Sequence, residues 1–170
     1  MTAIMAVEGL VEDEVIRQVA RTFGGVEHRI EFVREVNGVR YYNDSIASSP
    51  SRTIAGLRSF QEKVILIAGG YDKKIPYEPL SPYLCEKVSH LVLMGATGPK
   101  IEKALREYEG FCEGEPVIHH AESMEDAVAQ AEKLAKNGDI VALSPASASF
   151  DLYPNFEKRG EHFKKVVNQL

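Results

Sequence analysis

The sequence lacks the features that define several large classes of protein. It has no tryptophan and only two cysteines, Cys85 and Cys112, which show neither a CxxC spacing nor a cluster of nearby histidines. A zinc site and a disulfide framework are therefore both poorly supported. No apolar run approaches the ~18 residues of a membrane helix, and the first residues, MTAIMAVEGLVEDEV, have neither the basic start nor the cleavage site of a targeting signal. We expect a cytoplasmic protein that does not enter the membrane.

An excess of positive charge is missing as well. The net charge is -5 and the aromatic residues are few and scattered, so we expect no nucleic-acid partner. The motifs GxxxxGK(S/T) and GxGxxG, which cradle phosphates, are absent, and so is a Ser, His and acid set with the spacing of a nucleophile. The adjacent His119 and His120 would point to opposite faces of a strand, which favours ordinary histidines over metal ligands. We predict no metal site and no catalytic residue, but loops that hold and orient a ligand.

Unbroken apolar runs dominate the rest of the chain, namely VILIAGG, HLVLMGATG, PVIHH and DIVALSPA. Helical patterns separate these runs, which is typical of a parallel sheet covered on both faces. Ahead of them, IEFVREV and VRYYN flank Asn37-Gly38, the signature of a β-hairpin. We therefore predict an α/β protein with a Rossmann-like, mostly parallel sheet and helices on both faces.

A separate helix is predicted before the hairpin. Apolar residues recur at three- and four-residue spacing from Val7 to Phe23, and Gly24-Gly25 ends the pattern. A helix of this kind has little reason to precede an independent Rossmann domain, so we interpret it as the exit from another domain.

Polar segments follow four of the predicted strands: NDSIASSP, GGYDKKIP, GATGP and SPASASFD. The carboxyl ends of parallel strands meet at one rim of the sheet, where ligands bind. Each segment alone is weak support, since a strand-to-helix turn needs Gly, Asp or Ser for its own geometry. Their position on the same rim favours a binding site.

These segments carry a resemblance to a known family. The runs GGVEHRIEF, NDSIASSPSRTIAGL, ILIAGGYDKKIPYEPL and LSPASASFDLYPNFEKRGEHF resemble, in the same order, the last domain of the Mur ligases that add D-glutamate. The resemblance implies that residues 1–25 are the tail of the central ATPase domain with its hinge, and that residues 26–170 are the C-terminal Rossmann-like domain. It also implies that the N-terminal and central domains lie elsewhere and that this fragment alone is inactive.

The reaction implied by the resemblance starts with transfer of the ATP γ-phosphate to the carboxylate of UDP-N-acetylmuramoyl-L-alanine. The amine of D-glutamate then attacks the acyl phosphate. Mg²⁺ accompanies ATP and is held mainly by the central domain. The C-terminal domain would contribute contacts to ATP and groups that fix the carboxylates of D-glutamate.

The resemblance assigns two residues to ATP. Asp44, in the NDS turn, matches the residue that holds the ribose, and Arg29 matches a guanidinium that meets the phosphates. Local alternatives are an Asx-turn for Asp44 and a surface salt bridge for Arg29. Where many members have DSKAT this chain has DSIAS, so that Ile46 replaces a lysine that often lies near the substrates.

The resemblance assigns another group to D-glutamate. Lys73 matches the cation for one carboxylate, with Lys74 beside it as the competitor. Ser149 and the backbone of Phe156 match the positions that hold the other carboxylate, and Ser48 matches a hydroxyl that is usually threonine in the family.

Two other functions are compatible with these patterns. One is a stand-alone Rossmann-type module that binds a nucleotide or an amino acid as a sensor. The other is a domain of a paralogous Mur or folylpolyglutamate ligase that adds a different amino acid, in which case the GGYDKK and SASF loops would decide the substrate.

Overall fold

The computed structural model describes residues 2–7 and 9–170, and none of the helices in these ranges is long and apolar enough to cross a membrane. The chain forms seven α-helices, six strands and a short 3-10 helix in these ranges. In chain order they are α1 Thr2–Val7, α2 Asp13–Thr22, β1 Glu31–Val36, β2 Val39–Asn43, α3 Pro50–Leu57, β3 Val64–Gly69, the 3-10 helix Glu78–Leu80, α4 Ser81–Lys87, β4 Val88–Met94, α5 Gly98–Arg106, β5 Val117–His120, α6 Met124–Leu134, β6 Ile140–Leu143 and α7 Phe156–Val167.

The strands form a single six-stranded sheet with the order β1-β2-β6-β3-β4-β5. β1 and β2 pair antiparallel as the predicted hairpin, and every other neighbouring pair is parallel. At the hairpin turn Asn37 and Gly38 have φ of 52° and 79°, the left-handed geometry that an Asn-Gly turn adopts readily. The prediction of a mostly parallel α/β sheet is confirmed.

Helices cover both faces of the sheet. One apolar cluster contains Leu57 of α3, Leu84 of α4 and Leu105 of α5, and a second contains Val128 of α6 and Phe163 of α7. β3 is buried along its whole length between these clusters, which explains why its sequence is an unbroken apolar run. The layers therefore leave only the ends of the central strands open to ligands.

The predicted helix from Val7 to Phe23 is wrong in its first part. The structure has a helix that ends at Val7, a turn with Gly9 at φ 77°, and a new helix that begins at Asp13. Glu12, just before α2, is extended, so the two helical segments cannot join. The three- and four-residue spacing of apolar residues continues through this turn. Spacing alone therefore did not reveal that the backbone changes direction there.

Candidate functional site

The four polar segments after β2, β3, β4 and β6 lie side by side, because these strands are neighbours in the sheet. Backbone hydrogen bonds join the segments to each other. The amide of Tyr71 donates to the carbonyl of Ala148 at 2.9 Å, and the amide of Thr97 donates to the carbonyl of Gly70 at 2.9 Å. The predicted rim is therefore one continuous surface.

A buried hydroxyl group connects two of these segments and Tyr77, the residue that follows GGYDKKIP. Ser147 Oγ lies 2.8 Å from the hydroxyl of Tyr77 and 2.8 Å from Oγ1 of Thr97. All three side chains are buried. Because buried hydroxyls that lack partners are costly, this chain of contacts fixes the loops relative to one another.

The two residues assigned to ATP lie together. Arg29 and Asp44 both line an open cleft of about 320 Å³, with Ile46 and residues of α3 along its other walls. Gly56 of α3 is required for this shape, since a Cβ there would lie 2.7 Å from Oδ2 of Asp44. The guanidinium groups of Arg29 and Arg52 and the carboxylate of Asp44 line this cleft.

Asp44 is the most perturbed carboxylate of the rim. Its side chain is buried, Oδ2 accepts from the hydroxyl of Ser144 at 2.7 Å, and Oδ1 accepts from the amide of Ile30 at 3.3 Å. Burial raises the pKa of Asp44 to about 6, although both hydrogen bonds and the nearby Arg29 charge act in the opposite direction. A carboxylate of this kind is a good acceptor for ligand hydroxyls at neutral pH.

The lysines of the GGYDKK loop are both exposed. Asp72, beside them, forms an ion pair with Lys100 at 2.5 Å and accepts from the amide of Lys74 at 2.8 Å. The ammonium groups of Lys73 and Lys74 make no hydrogen bond or ion pair with the described part of the chain. Both are available to a ligand, and the choice between them stays a prediction.

The remaining residues assigned to D-glutamate are near the start of α7. Ser149 is buried, and its carbonyl accepts from the amides of Leu152 and Tyr153, which closes a tight turn. Phe156 is the first residue of α7, where the backbone amides have no partner within the helix. Ser48 is half-buried in the segment after β2. The Ser149 turn and the first residue of α7 thus both lie in the segment that follows β6.

Arg159 is a central residue of the rim that sequence reasoning missed. It is only 3% exposed. Its guanidinium donates to Oγ and the carbonyl of Ser45, at 3.0 and 2.8 Å, and to the carbonyls of Ser147 and Ala148, at 3.1 and 3.0 Å. Arg159 lies on the same face of α7 as the buried apolar residues Phe163 and Val166. A charged residue within an apolar stripe is the sequence signal that could have identified it.

A group that could ligate a metal lies near Arg29. Glu27, His28 and Glu31 place one ligand atom each within 4.8 Å of one another. The ammonium of Lys164 already contacts both carboxylates, at 2.6 Å for Glu27 and 2.9 Å for Glu31. Lys164 therefore supplies a counter-ion to both carboxylates, and the geometry fits a structural ion-pair network better than a metal centre.

Comparison with known sequences identifies a family for this arrangement. The family model described as Mur ligase, glutamate ligase domain, matches residues 28–147. The UDP-N-acetylmuramoylalanine--D-glutamate ligase of Acetivibrio thermocellus is 60% identical over 172 aligned residues, covering 100% of this chain and 37% of that protein. The enzyme of the same name from Clostridium botulinum is 56% identical with the same coverage. The chain thus spans 37% of the length of these curated relatives and matches the carboxyl-terminal part of the Acetivibrio protein.

Solved structures share the fold at low sequence identity. A bifunctional folylpolyglutamate synthase/dihydrofolate synthase from Yersinia pestis has a TM-score of 0.64 at 18% identity, over 92% of this chain and 35% of that chain. Its complex with AMPPNP and a Mn ion has a TM-score of 0.60 at 19% identity, with the same coverage. A murein peptide ligase from Psychrobacter arcticus has a TM-score of 0.58 at 16% identity, over 88% of this chain and 32% of that chain. At these identities the similarity establishes the fold alone.

Proposed function

The chain belongs to the Mur ligase family, and we propose that it is the carboxyl-terminal domain of a ligase that joins D-glutamate to UDP-N-acetylmuramoyl-L-alanine at the expense of ATP. The relatives that support this substrate are named D-glutamate ligases. The observation that carries the proposal is that Arg29 and Asp44, assigned to ATP from the sequence, line one cleft at the carboxyl ends of the strands. A cytoplasmic location accords with these substrates and stays a prediction.

The domain division is part of the proposal. We assign residues 1–25 to the end of the central domain with its hinge, and residues 26–170 to the carboxyl-terminal domain. The support is that α2 contributes no buried residue, whereas the sheet and its helices form one apolar core on each face. Upstream domains would then hold the UDP-linked substrate and most of the triphosphate.

At the nucleotide side, the carboxylate of Asp44 would accept hydrogen bonds from the ribose hydroxyls. The guanidinium of Arg29 would meet the phosphates, for which its planar fork of donors is suited. AMPPNP and a Mn ion accompany the related fold in the Yersinia complex. Both carboxylates of the metal-capable group near Arg29 are already paired with Lys164, so we assign Mg²⁺ mainly to the upstream domains.

At the amino-acid side, the exposed ammonium of Lys73 would bind one carboxylate of D-glutamate. The Ser149 turn and the first amide of α7, at Phe156, would bind the other carboxylate, because a helix start favours anions. Ser48 would add a hydroxyl from the neighbouring segment. Ile46 lines the nucleotide cleft and offers no charge, so the cations of the GGYDKK loop would supply the positive charge that a lysine provides in many members.

The two subsites can be tested by substrate selectivity in the ligase polypeptide that carries this chain. Lys73→Ala removes one charge-assisted hydrogen bond and should raise the KM for D-glutamate roughly ten- to a hundredfold, while the KM for ATP changes little. Asp44→Ala should show the opposite selectivity. The measurement is steady-state kinetics with each substrate varied in turn, on variants whose thermal melts match the parent protein.

Lys74→Ala is the matched control for the lysine assignment. If Lys74→Ala raises the KM for D-glutamate and Lys73→Ala does not, Lys74 and not Lys73 is the residue of the GGYDKK loop that binds the carboxylate. If neither lysine affects D-glutamate and Asp44→Ala leaves ATP use unchanged, the proposed sites on this domain are wrong.

A further inference from the structure

Two residues with left-handed backbone bracket Arg29. His28 has φ of 63° and Ile30 has φ of 47°. Residues other than glycine rarely adopt positive φ, and a β-branched residue such as isoleucine does so at particular cost. Such a conformation persists only where its surroundings impose it. The contacts that impose it therefore determine where the side chain of Arg29 points.

Each of the two unusual residues is held by a carboxylate. The amide of His28 donates to Oε2 of Glu31 at 2.9 Å, and the amide of Ile30 donates to Oδ1 of Asp44 at 3.3 Å. Asn43 joins the two anchors, because its side-chain amide also donates to Oε2 of Glu31 at 2.9 Å. The turn around Arg29 is thereby attached to the NDS segment that carries the other nucleotide residue.

Glu31 is itself fixed by Lys164 of α7. The ammonium of Lys164 contacts the other oxygen of Glu31, Oε1, at 2.9 Å and Oε1 of Glu27 at 2.6 Å. Burial acts to raise the pKa of Glu31, but the His28 amide and Lys164 prevail and hold this pKa below its ordinary value. The carboxylate is therefore ionised at neutral pH and ties the segment before β1 to a rigid helix.

The imidazole of His28 completes this attachment. Its ring is buried and meets the ring of Phe156 edge-on, with 5.9 Å between the centroids. Gly160 of α7 leaves the room that this ring needs, since a Cβ there would lie 2.3 Å from Nδ1. By contrast, the guanidinium of Arg29 is exposed and makes no hydrogen bond or ion pair with the described residues.

We propose that Glu31, with Lys164 as its counter-ion, is a positioning residue for Arg29. The pair holds the turn of residues 28–30 so that the guanidinium faces the nucleotide cleft before ATP arrives. Because the turn is already ordered, ATP binding does not lose free energy to ordering it. The inference rests on the proposed function, because it requires Arg29 to meet the ATP phosphates.

The test uses the full-length ligase and the variants Glu31→Gln and Lys164→Met. Each removes the ion pair, and Glu31→Gln keeps an acceptor for the His28 amide. We expect either variant to raise the KM for ATP roughly three- to tenfold, with kcat and the KM for D-glutamate changed by less than about twofold. Both variants remove the contact between Glu31 and Lys164, and Lys164→Met also removes the contact with Glu27, so the double variant should be no worse than Lys164→Met alone.

Matched controls and a parallel arm separate the possible outcomes. Glu35→Gln and Lys165→Met change exposed neighbours of the same elements and should leave the KM for ATP unchanged. If Arg29→Ala raises the KM for ATP but the Glu31 and Lys164 variants only lower the melting temperature, the inference is overturned and the proposed nucleotide site stands. If Arg29→Ala leaves ATP saturation untouched, the nucleotide assignment of Arg29 and this inference are both overturned.

Discussion

Asp44 carries a conflict between stability and binding. Burial raises its folded pKa to about 6 from an ordinary 3.8, so the folded state favours the neutral acid. The stabilisation from the neutral form is fully present below about pH 3.8 and is lost as the pH rises through about 6. At neutral pH the fold therefore retains an ionised, poorly hydrated carboxylate, which is the form that would accept hydrogen bonds in the proposed contact with ribose hydroxyls.

Replacing Asp44 with asparagine should reveal this conflict. Asp44→Asn should raise the free energy of unfolding by about 1–2 kcal/mol near pH 8 and bring no gain near pH 4, because only the ionised form is penalised. The same variant should use ATP less well. Urea unfolding of the chain across this pH range measures the effect, with exposed Glu35→Gln as control. A variant less stable than the parent at every pH would contradict the account.

Arg159 should matter for stability through its hydrogen bonds. Its burial lowers its pKa to about 10, so the guanidinium stays charged at neutral pH. Arg159→Met would leave the carbonyls of Ser45, Ser147 and Ala148 without this donor. We expect the free energy of unfolding to fall by about 3 kcal/mol or more, against about 0.5 kcal/mol for the exposed neighbour Lys158→Met. Equal effects in chemical denaturation would show that the buried contacts contribute little.

At the scale of elements, α7 connects the two proposed subsites. Phe156 begins the helix beside the amino-acid side, Arg159 holds the loops after β2 and β6, and Lys164 fixes the segment before β1. These residues recur at intervals that keep them on neighbouring faces of one helix. A displacement of α7 would therefore change both subsites together.

Helix α2 has the opposite character. It buries none of its residues, and Val15, Val19 and Phe23 are exposed. An isolated helix of this length is marginally stable in water, so we predict that its amides exchange with solvent in the isolated chain almost as fast as unfolded amides. Hydrogen exchange detected by mass spectrometry would compare α2 with α7 in the same sample. Protection of α2 equal to that of α7, in a chain shown to be monomeric, would exclude this interpretation.

At the scale of the whole molecule, we expect the rim to bind substrates and turnover to require the rest of the ligase. The cleft proposed for the nucleotide is lined by two cations, Arg29 and Arg52, and the sequence has no GxxxxGK(S/T) loop. We predict that the purified chain neither hydrolyses ATP nor forms the amide at a rate above buffer controls. The measurement is phosphate release and product formation with all three substrates present. Activity that persists after rigorous removal of contaminating ligase, and that Arg29→Ala abolishes, would refute the prediction.

The sequence by itself determined the features that depend on local spacing. Unbroken apolar runs identified the four strands β3, β4, β5 and β6, although the edge strand β5 is not buried. Asn37-Gly38 identified the hairpin, and the polar segments at strand ends identified the rim. Asp44 and Arg29 could be proposed for ATP because the motifs that carry the family resemblance are short and contiguous, and this assignment stays a prediction. Local spacing failed near Gly9, where the backbone turns while the apolar pattern continues.

Only the tertiary structure decided the contacts between distant parts of the chain. β6 lies between β2 and β3, which brings Ser144 to Asp44 although 100 residues separate them. Lys164 reaches Glu31 across 133 residues, and Arg159 reaches Ser45 across 114. The spacing of residues along the chain specifies which face of a helix or strand a side chain occupies. It does not specify which distant residue contacts that side chain. That partner is fixed by the order in which the strands assemble and by the burial that makes each unpaired polar group costly.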